Sequence, residues 1–398
     1  MHKTIRAILL ILIFNHIICF ASDNSADIVI GEKVSIKSLE LDEDREIWIY
    51  KPDGYDSNRK YNVIYLLDAE TQFLSATGIV KYLAANEFIP DSIIVALPNT
   101  IRIRDFTPPI SVAPQSRMQT FINSKFPLSG GANRFISFLQ NELIPYIDDR
   151  YSTLPNRMII GHSNGGVLAL HALVSIPDLF VNYIIISPSA WWSEEEIDQN
   201  INMLFKTKPD IKGNLYLTVG NEGGQILSNG LRITANLEMT APDSFSWRFK
   251  QMENESHTSI SVPSILNGLK KTFEEFHINN LDEIAKYSDI KEVDKFYNDL
   301  SKKYGYKVNI PASVIEQLAQ KHLQFGKSEQ AVVAFKFNIE QNPESAFAYK
   351  NLGDVYMAIA KYSLAKSAYQ TAVILAKQQQ SEHLGFFQDM LENAKGKM

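Results

Sequence analysis

Residues 157–173 read Arg157-Met158-Ile159-Ile160-Gly161-His162-Ser163-Asn164-Gly165-Gly166-Val167-Leu168-Ala169-Leu170-His171-Ala172-Leu173. A short apolar run enters a glycine-rich turn and leaves it as a helix pattern. At the centre stands a G-x-S-x-G pentad, Gly161 to Gly165. Chance alone places such a pentad in about one chain in ten of this length at ordinary Gly and Ser usage, so the flanks decide. Strand, sharp turn and helix form the setting that pushes a serine Oγ into the open at a helix amino end. There, free N–H groups and the helix dipole favour negative charge. The glycines permit the strained backbone and the close strand–helix approach of such a turn. Ser163 is therefore the candidate nucleophile.

Outward from this turn, Val63–Leu67, Ile93–Leu97, Tyr183–Ile186 and Leu215–Val219 are continuously apolar. That is the pattern of strands buried on both faces of a parallel sheet. Lys33–Leu39 and Glu46–Tyr50 alternate like half-exposed strands, and Phe245–Lys250 supplies one more. Arg134–Ile147 carries apolar residues at helical spacing. Strands alternating with helices predict an α/β domain over residues 28–277 with a mostly parallel sheet. Residues 100–133 hold Pro108, Pro109, Pro114, Pro127 and Ser129-Gly130-Gly131, which predicts a long functional loop.

A serine on such an elbow needs a base, and the chain order is then Ser, acid, His. Of the eight histidines, His2, His16 and His162 come too early. His171 lies in the helix behind the elbow, and His322 and His383 fall beyond residue 278. His277 closes a helix pattern, where a cation suits the dipole. His257, in the polar loop after the last strand candidate, is the candidate base. The acid should end an earlier strand. Leu215–Val219 runs into Gly220-Asn221-Glu222, which makes Glu222 the first choice, with Asp243 its main rival and Glu253 and Glu255 in reach of the same loop. Two backbone N–H groups are expected to face the carbonyl oxygen. Asn164 supplies one, and the loop after Val63–Leu67 the other, Glu70 being favoured over Ala69.

Beyond about residue 278 the strand pattern stops. Tyr349, Leu352, Gly353, Tyr356, Ala365, Tyr369 and Ala372 match the spacing of a tetratricopeptide helix pair. A step back by its period of about 34 residues lands on Ile315, Leu318, Ala319, Ala331 and Phe335. Small residues let paired helices approach, and large ones fill the groove between them. Two repeats, 312–345 and 346–379, and a capping helix at Phe386–Ala394 are expected within a 312–395 helical domain, with 278–311 as linker or degraded repeat. Such repeats present a face to a peptide or subunit, so a protein partner is expected there.

At the amino end, Lys3 and Arg6 precede an apolar run, Ala7–Phe20, shorter than the roughly 20 residues that span a bilayer. Cys19 and Ala21 stand as in an A-x-A cleavage site. Residues 1–21 therefore read as a signal peptide, and the protein is expected to be exported, periplasmic or secreted, with no stable membrane anchor after cleavage. That cleavage would remove the one cysteine, and with it thiol catalysis and Cys-based zinc sites. The 398 residues, 45% apolar and 21% charged, are globular in composition, which excludes disordered and collagen-like chains. With 39 Lys+Arg against 45 Asp+Glu and no basic block, nucleic acid is excluded as a partner.

Four separated segments carry a family resemblance: Tyr61–Asp68 (YNVIYLLD), Val95–Pro108 (VALPNTIRIRDFTP), Gly161–Gly166 (GHSNGG) and Ile186–Trp192 (ISPSAWW). Together they resemble the branch of the α/β-hydrolases that includes esterase D, the enterochelin esterases and the mycolyltransferases. The resemblance covers roughly residues 30–277. It implies an α/β-hydrolase fold, a Ser163–Glu222–His257 triad, and neither metal nor organic cofactor. It further implies hydrolysis of a small-molecule carboxylic ester, such as a siderophore or an aryl ester, through an acyl-enzyme on Ser163. Acyl transfer by the same triad is the alternative within that chemistry. A non-catalytic, esterase-like scaffold that binds partners through its repeats is the alternative from another class. Arg102 and Arg104 occupy a stretch that borders the substrate pocket in some siderophore esterases, where an arginine fork holds an anionic or catecholate-like group. Trp191 and Trp192 are candidates to wall the cleft. The competing readings are an Arg104–Asp105 pair that braces the loop and tryptophans packed beneath it.

Overall fold

The apolar runs become β1 (Glu32–Ser38), β2 (Glu43–Tyr50), β3 (Tyr61–Leu67), β4 (Ser92–Leu97), β5 (Thr153–His162), β6 (Asn182–Ile186), β7 (Gly213–Gly220) and β8 (Phe245–Met252). They form one sheet in the order β1-β2-β4-β3-β5-β6-β7-β8. β2 runs antiparallel to both neighbours, and every pairing from β4 to β8 is parallel. All residues of β3, β4 and β6 are buried, whereas β1 alternates, as an edge strand should. The computed structural model describes residues 27–109, 117–193, 196–304 and 307–398. The expected signal peptide lies outside them, as does part of the 100–133 segment. The chain up to Ile30 forms a unit of its own, of which the described residues 27–30 carry no helix or strand. Gly31–Met398 form the other unit.

The register aligns the ends that matter. His162 faces Ile186, and Ile186 faces Thr218, so the residues that follow β5, β6 and β7 emerge side by side at the carboxyl edge of the sheet. Helices cover both faces: α1 (Ala69–Ala85), α2 (Arg102–Phe106), α3 (Arg117–Lys125), α4 (Ala132–Phe138), α5 (Ile144–Arg150), α6 (Asn164–Ser175), α7 (Glu196–Thr207), α8 (Gly224–Thr240) and α9 (Ser261–Thr272). A single π turn, Leu139–Leu143, joins α4 to α5. The expected long loop is corrected here, since α2 and α3 lie within it. Pro108, Pro109 and Pro127 follow these helices and limit their length without preventing them.

Among the described residues seven more helices follow: α10 (Leu281–Tyr287), α11 (Ile290–Tyr304), α12 (Ala312–Gln324), α13 (Ser328–Gln341), α14 (Ala346–Ala358), α15 (Tyr362–Gln378) and α16 (Leu384–Gly396). α12 packs on α13, and α14 on α15, so the region is an all-α array of helical hairpins. Gly353 lets one hairpin close, because a Cβ there would sit 2.5 Å from Tyr369 Cε1. Within the 278–311 segment α10 and α11 are helices, and His322 on α12 joins its Nδ1 to the Ala285 carbonyl of α10 at 3.1 Å. One contiguous buried cluster runs from Leu66 and Ile184 of the sheet through Leu269 of α9 and Ile284 of α10 to Leu318 and Tyr356. The helical region and one face of the sheet therefore share a core. Among the described residues no helix is long and apolar enough to cross a membrane.

Candidate active site

Where β5 turns into α6, Ser163 takes φ 58° and ψ −116°, a strained region for a residue with a side chain. Three glycines make the turn sterically possible. A Cβ on Gly161 would lie 2.2 Å from the Gly165 carbonyl oxygen. One on Gly165 would meet Leu67 Cδ1 at 3.3 Å, and one on Gly166 would meet Pro188 Cβ at 3.1 Å. The Ser163 N–H donates to the Ile186 carbonyl at 2.9 Å, which fastens the elbow to the end of β6. Asn164 heads α6, so its N–H has no acceptor within the helix.

His257, in the loop between β8 and α9, brings Nε2 to 3.1 Å from Ser163 Oγ. Its Nδ1 is 2.5 Å from Glu222 Oε2. Glu222 lies in the turn after β7 with its side chain only 7% exposed. Its other oxygen, Oε1, accepts from Ser187 Oγ at 2.5 Å and from the Gly220 N–H at 3.1 Å. The loops carrying acid and imidazole are tied by the Asn221 N–H to the Glu255 carbonyl at 2.7 Å. A carboxylate only accepts, so the proton of the neutral imidazole belongs on Nδ1 and Nε2 is left as the acceptor.

The His162 ring lies against His257, with centroids 4.6 Å apart. Burial, followed by the neighbouring imidazole, pushes the His162 pKa down to about 4. Its Nε2 is buried with no partner among the described residues. On the other side of the elbow, Asp68 sits at φ 57° before α1. Arg102 donates Nε to Asp68 Oδ1 at 2.5 Å and Nη2 to Asp68 Oδ2 at 2.9 Å, and Nη2 also reaches the His162 carbonyl at 3.0 Å. Asn99 donates its N–H to Glu70 Oε1 at 2.6 Å and its Nδ2 to Asp68 Oδ1 at 2.8 Å. The start of α1, where the Ala69 and Glu70 N–H groups lack intrahelical acceptors, is thereby braced against the elbow.

Residues 38–261, more than half of the chain, match the family model described as "Putative esterase". The chain belongs to that family. The esterase is 29% identical over 251 residues to the siderophore triacetylfusarinine C esterase of Aspergillus fumigatus, covering 54% of this chain and 82% of that protein. It is 29% identical over 234 residues to the ferri-bacillibactin esterase BesA of Bacillus subtilis, covering 54% and 79%. It is also similar to the structure of an IroE-like serine hydrolase from Shewanella oneidensis, at 27% identity and a TM-score of 0.61 over 78% of this chain and 99% of that one. An uncharacterised protein from Capnocytophaga ochracea shares the fold over 92% of this chain and 99% of its own, at 16% identity and a TM-score of 0.61. These relationships make the chain a hydrolase that acts on esters.

The esterase brings Ser163, Glu222 and His257 together, with Glu222 as the carboxylate on His257 Nδ1. Asp243 lies two residues before β8, whose first residue, Phe245, pairs with Gly213 at the amino end of β7, whereas Glu222 follows the carboxyl end of β7. The Glu255 carboxylate accepts from Ser259 Oγ. Two expectations for the pocket need correction. Arg104 closes its fork on Glu43 and Asp105, with all three guanidinium nitrogens engaged, which is the loop-bracing arrangement. Trp192 is 1% exposed and donates Nε1 to the Pro108 carbonyl at 3.1 Å, so it packs beneath the segment instead of walling the cleft. Trp191, its neighbour at 5.7 Å, stays partly exposed. Ser187, Ser189 and Asp68 were missed as site residues. Their segments, ISPSAWW and YNVIYLLD, signalled only family, because a hydroxyl or carboxylate that acts through a neighbour has no spacing rule.

Proposed function

We propose that the esterase cleaves ester bonds of siderophores through an acyl-enzyme on Ser163. The reading is carried by the relay from Glu222 Oε2 to His257 Nδ1 at 2.5 Å and from Nε2 to Ser163 Oγ at 3.1 Å, built on a serine at φ 58°. Ser163 Oγ attacks the ester carbonyl while Nε2 takes its proton, and Glu222 holds the ring in the right tautomer and stabilises the imidazolium. The Asn164 and Glu70 N–H groups receive the developing oxyanion. The leaving alcohol takes the proton from Nε2, and water repeats the sequence to release the acid. The substrate class is supported by the relatives named as siderophore esterases. Arg102 holds Asp68 and the His162 carbonyl through Nε and Nη2, and its Nη1 is assigned, with Trp191, to the substrate. The helices from residue 312 are read as two tetratricopeptide-like repeats with a capping helix that meet a protein partner. Residues 1–21 are read as the export signal that puts the reaction outside the cytoplasm.

The test compares wild type, Ser163→Ala and His257→Ala on p-nitrophenyl butyrate and on a trilactone siderophore, with products followed by mass spectrometry. Both variants should lose nearly all turnover. Equal rates for the three proteins would end the serine mechanism. Turnover of the small ester without any siderophore cleavage would end the substrate assignment alone.

A further inference from the structure

We infer that Ser189 is a second hydroxyl of the reaction, a donor to Ser163 Oγ that speeds departure of that oxygen from the acyl group during deacylation. The inference rests on Ser163 as nucleophile and His257 as base. Ser189 is 6% exposed and is fastened to the elbow at two points. Its N–H donates to the Ser163 carbonyl at 3.2 Å, and its Oγ lies 3.1 Å from Ser163 Oγ. Pro188, one residue back, abuts Gly166 so closely that a Cβ there would be 3.1 Å from it, which keeps the segment from retreating. Ser187, one residue further back, holds Glu222. A single Ser-Pro-Ser segment thus touches both the acid and the nucleophile.

The direction of the Ser189 bond follows from the protons. Nδ1 of His257 carries its proton toward the Glu222 carboxylate, so Nε2 accepts the one proton of Ser163 Oγ. Oγ can then only accept from Ser189, and the Ser189 hydroxyl is the donor. Its value changes along the reaction. A serine hydroxyl is a good acceptor before attack and while the bond to carbon forms, so the donor affects ground and transition states alike and alters acylation little. In the acyl-enzyme, Oγ is an ester alkoxy oxygen and a poor acceptor. Water then adds to the acyl carbonyl and gives a proton to Nε2. The adduct collapses by breaking the carbon–Oγ bond, whose electron pair goes to Oγ, and Nε2 returns the proton to that oxygen. As charge builds on Oγ the bond from Ser189 strengthens, an interaction gained only in the transition state of this step.

The two steps are measured separately on the full chain. Acylation is followed by p-nitrophenolate release from p-nitrophenyl butyrate with enzyme in excess, and deacylation by decay of the butyryl-enzyme in intact-mass spectra. Ser189→Ala should acylate at the wild-type rate and deacylate about tenfold more slowly, so that butyryl-enzyme accumulates. Ser189→Cys, close in volume but a weak donor, should show the same selective defect, and it carries the test if the alanine variant does not fold. An equal loss in both steps, or unchanged deacylation, overturns the inference. Ser163→Ala in parallel should form no butyryl-enzyme; if it does, the nucleophile assignment fails and not merely the role of Ser189.

Discussion

Acid should weaken this protein in part through one ring, His162. Its imidazole lies against His257 at 4.6 Å, and its buried Nε2 has no partner among the described residues, so a proton there is opposed by lost hydration and then by the neighbouring ring. The pKa falls from 6.5 to about 4, which corresponds to about 3.4 kcal/mol favouring the neutral ring in the folded chain. The unfolded chain takes up the proton near pH 6.5, while the folded one resists until about 4. Stability is therefore full above that window and falls as pH drops through it, by about 2.5 kcal/mol at pH 4.5. Burial also lowers the pKa of His171 and His322, so wild type alone does not isolate the effect. The measurement is urea unfolding at pH 7.5 and pH 4.5 of wild type and His162→Asn. Wild type should lose about 2.5 kcal/mol more than the variant over that interval. Equal losses would show that His162 is as readily protonated in the folded protein as in the unfolded one, and the reasoning would be wrong.

Glu222→Ala should cut kcat on p-nitrophenyl butyrate by about a thousandfold or more, while Asp243→Ala, before the amino end of β8, should leave it unchanged; the reverse order would reassign the acid. Gly161→Ala should cost about 3 kcal/mol or more in thermal or urea unfolding, because its Cβ would be driven 2.2 Å from a backbone carbonyl oxygen that cannot yield. Arg102→Met should lower kcat about tenfold to a hundredfold with little change in KM for the small ester, since Arg102 ties the start of α1 to the elbow; a change confined to KM would make it a substrate ligand only. Ending the chain at residue 279 should give an aggregating product, as the buried faces of Phe273, Phe276 and Ile278 would lose the helices that cover them; a monodisperse, active fragment would refute the shared core.

The elbow, the central strands and the pairing of Ser163 with His257 as candidates were legible because each follows a local rule, whereas the acid stayed open between Glu222 and Asp243. Continuous apolar runs need burial on two faces, the sharp turn needs its glycines, and a base must end a polar loop after the last strand. The 100–133 segment was less legible, since prolines mark where a helix stops without saying whether one precedes them. Arg104 and Trp192 are residue types suited to a pocket, yet Glu43, 61 residues away in sequence, closes on the one and the Pro108 carbonyl takes the other. Ser189 meets Ser163 across 26 residues, a distance that no periodicity spans.

By itself, the sequence determined which residues are chemically able to act and which strand each one follows, because strand pattern, turn chemistry and chain order are local properties. Only the tertiary structure decided which carboxylate reaches His257, which acidic partner each arginine closes on, and that the carboxy-terminal helices share a core with the sheet. Those outcomes depend on sheet register and side-chain packing between distant segments, and such contacts exist only once the parallel strands have aligned their carboxyl ends.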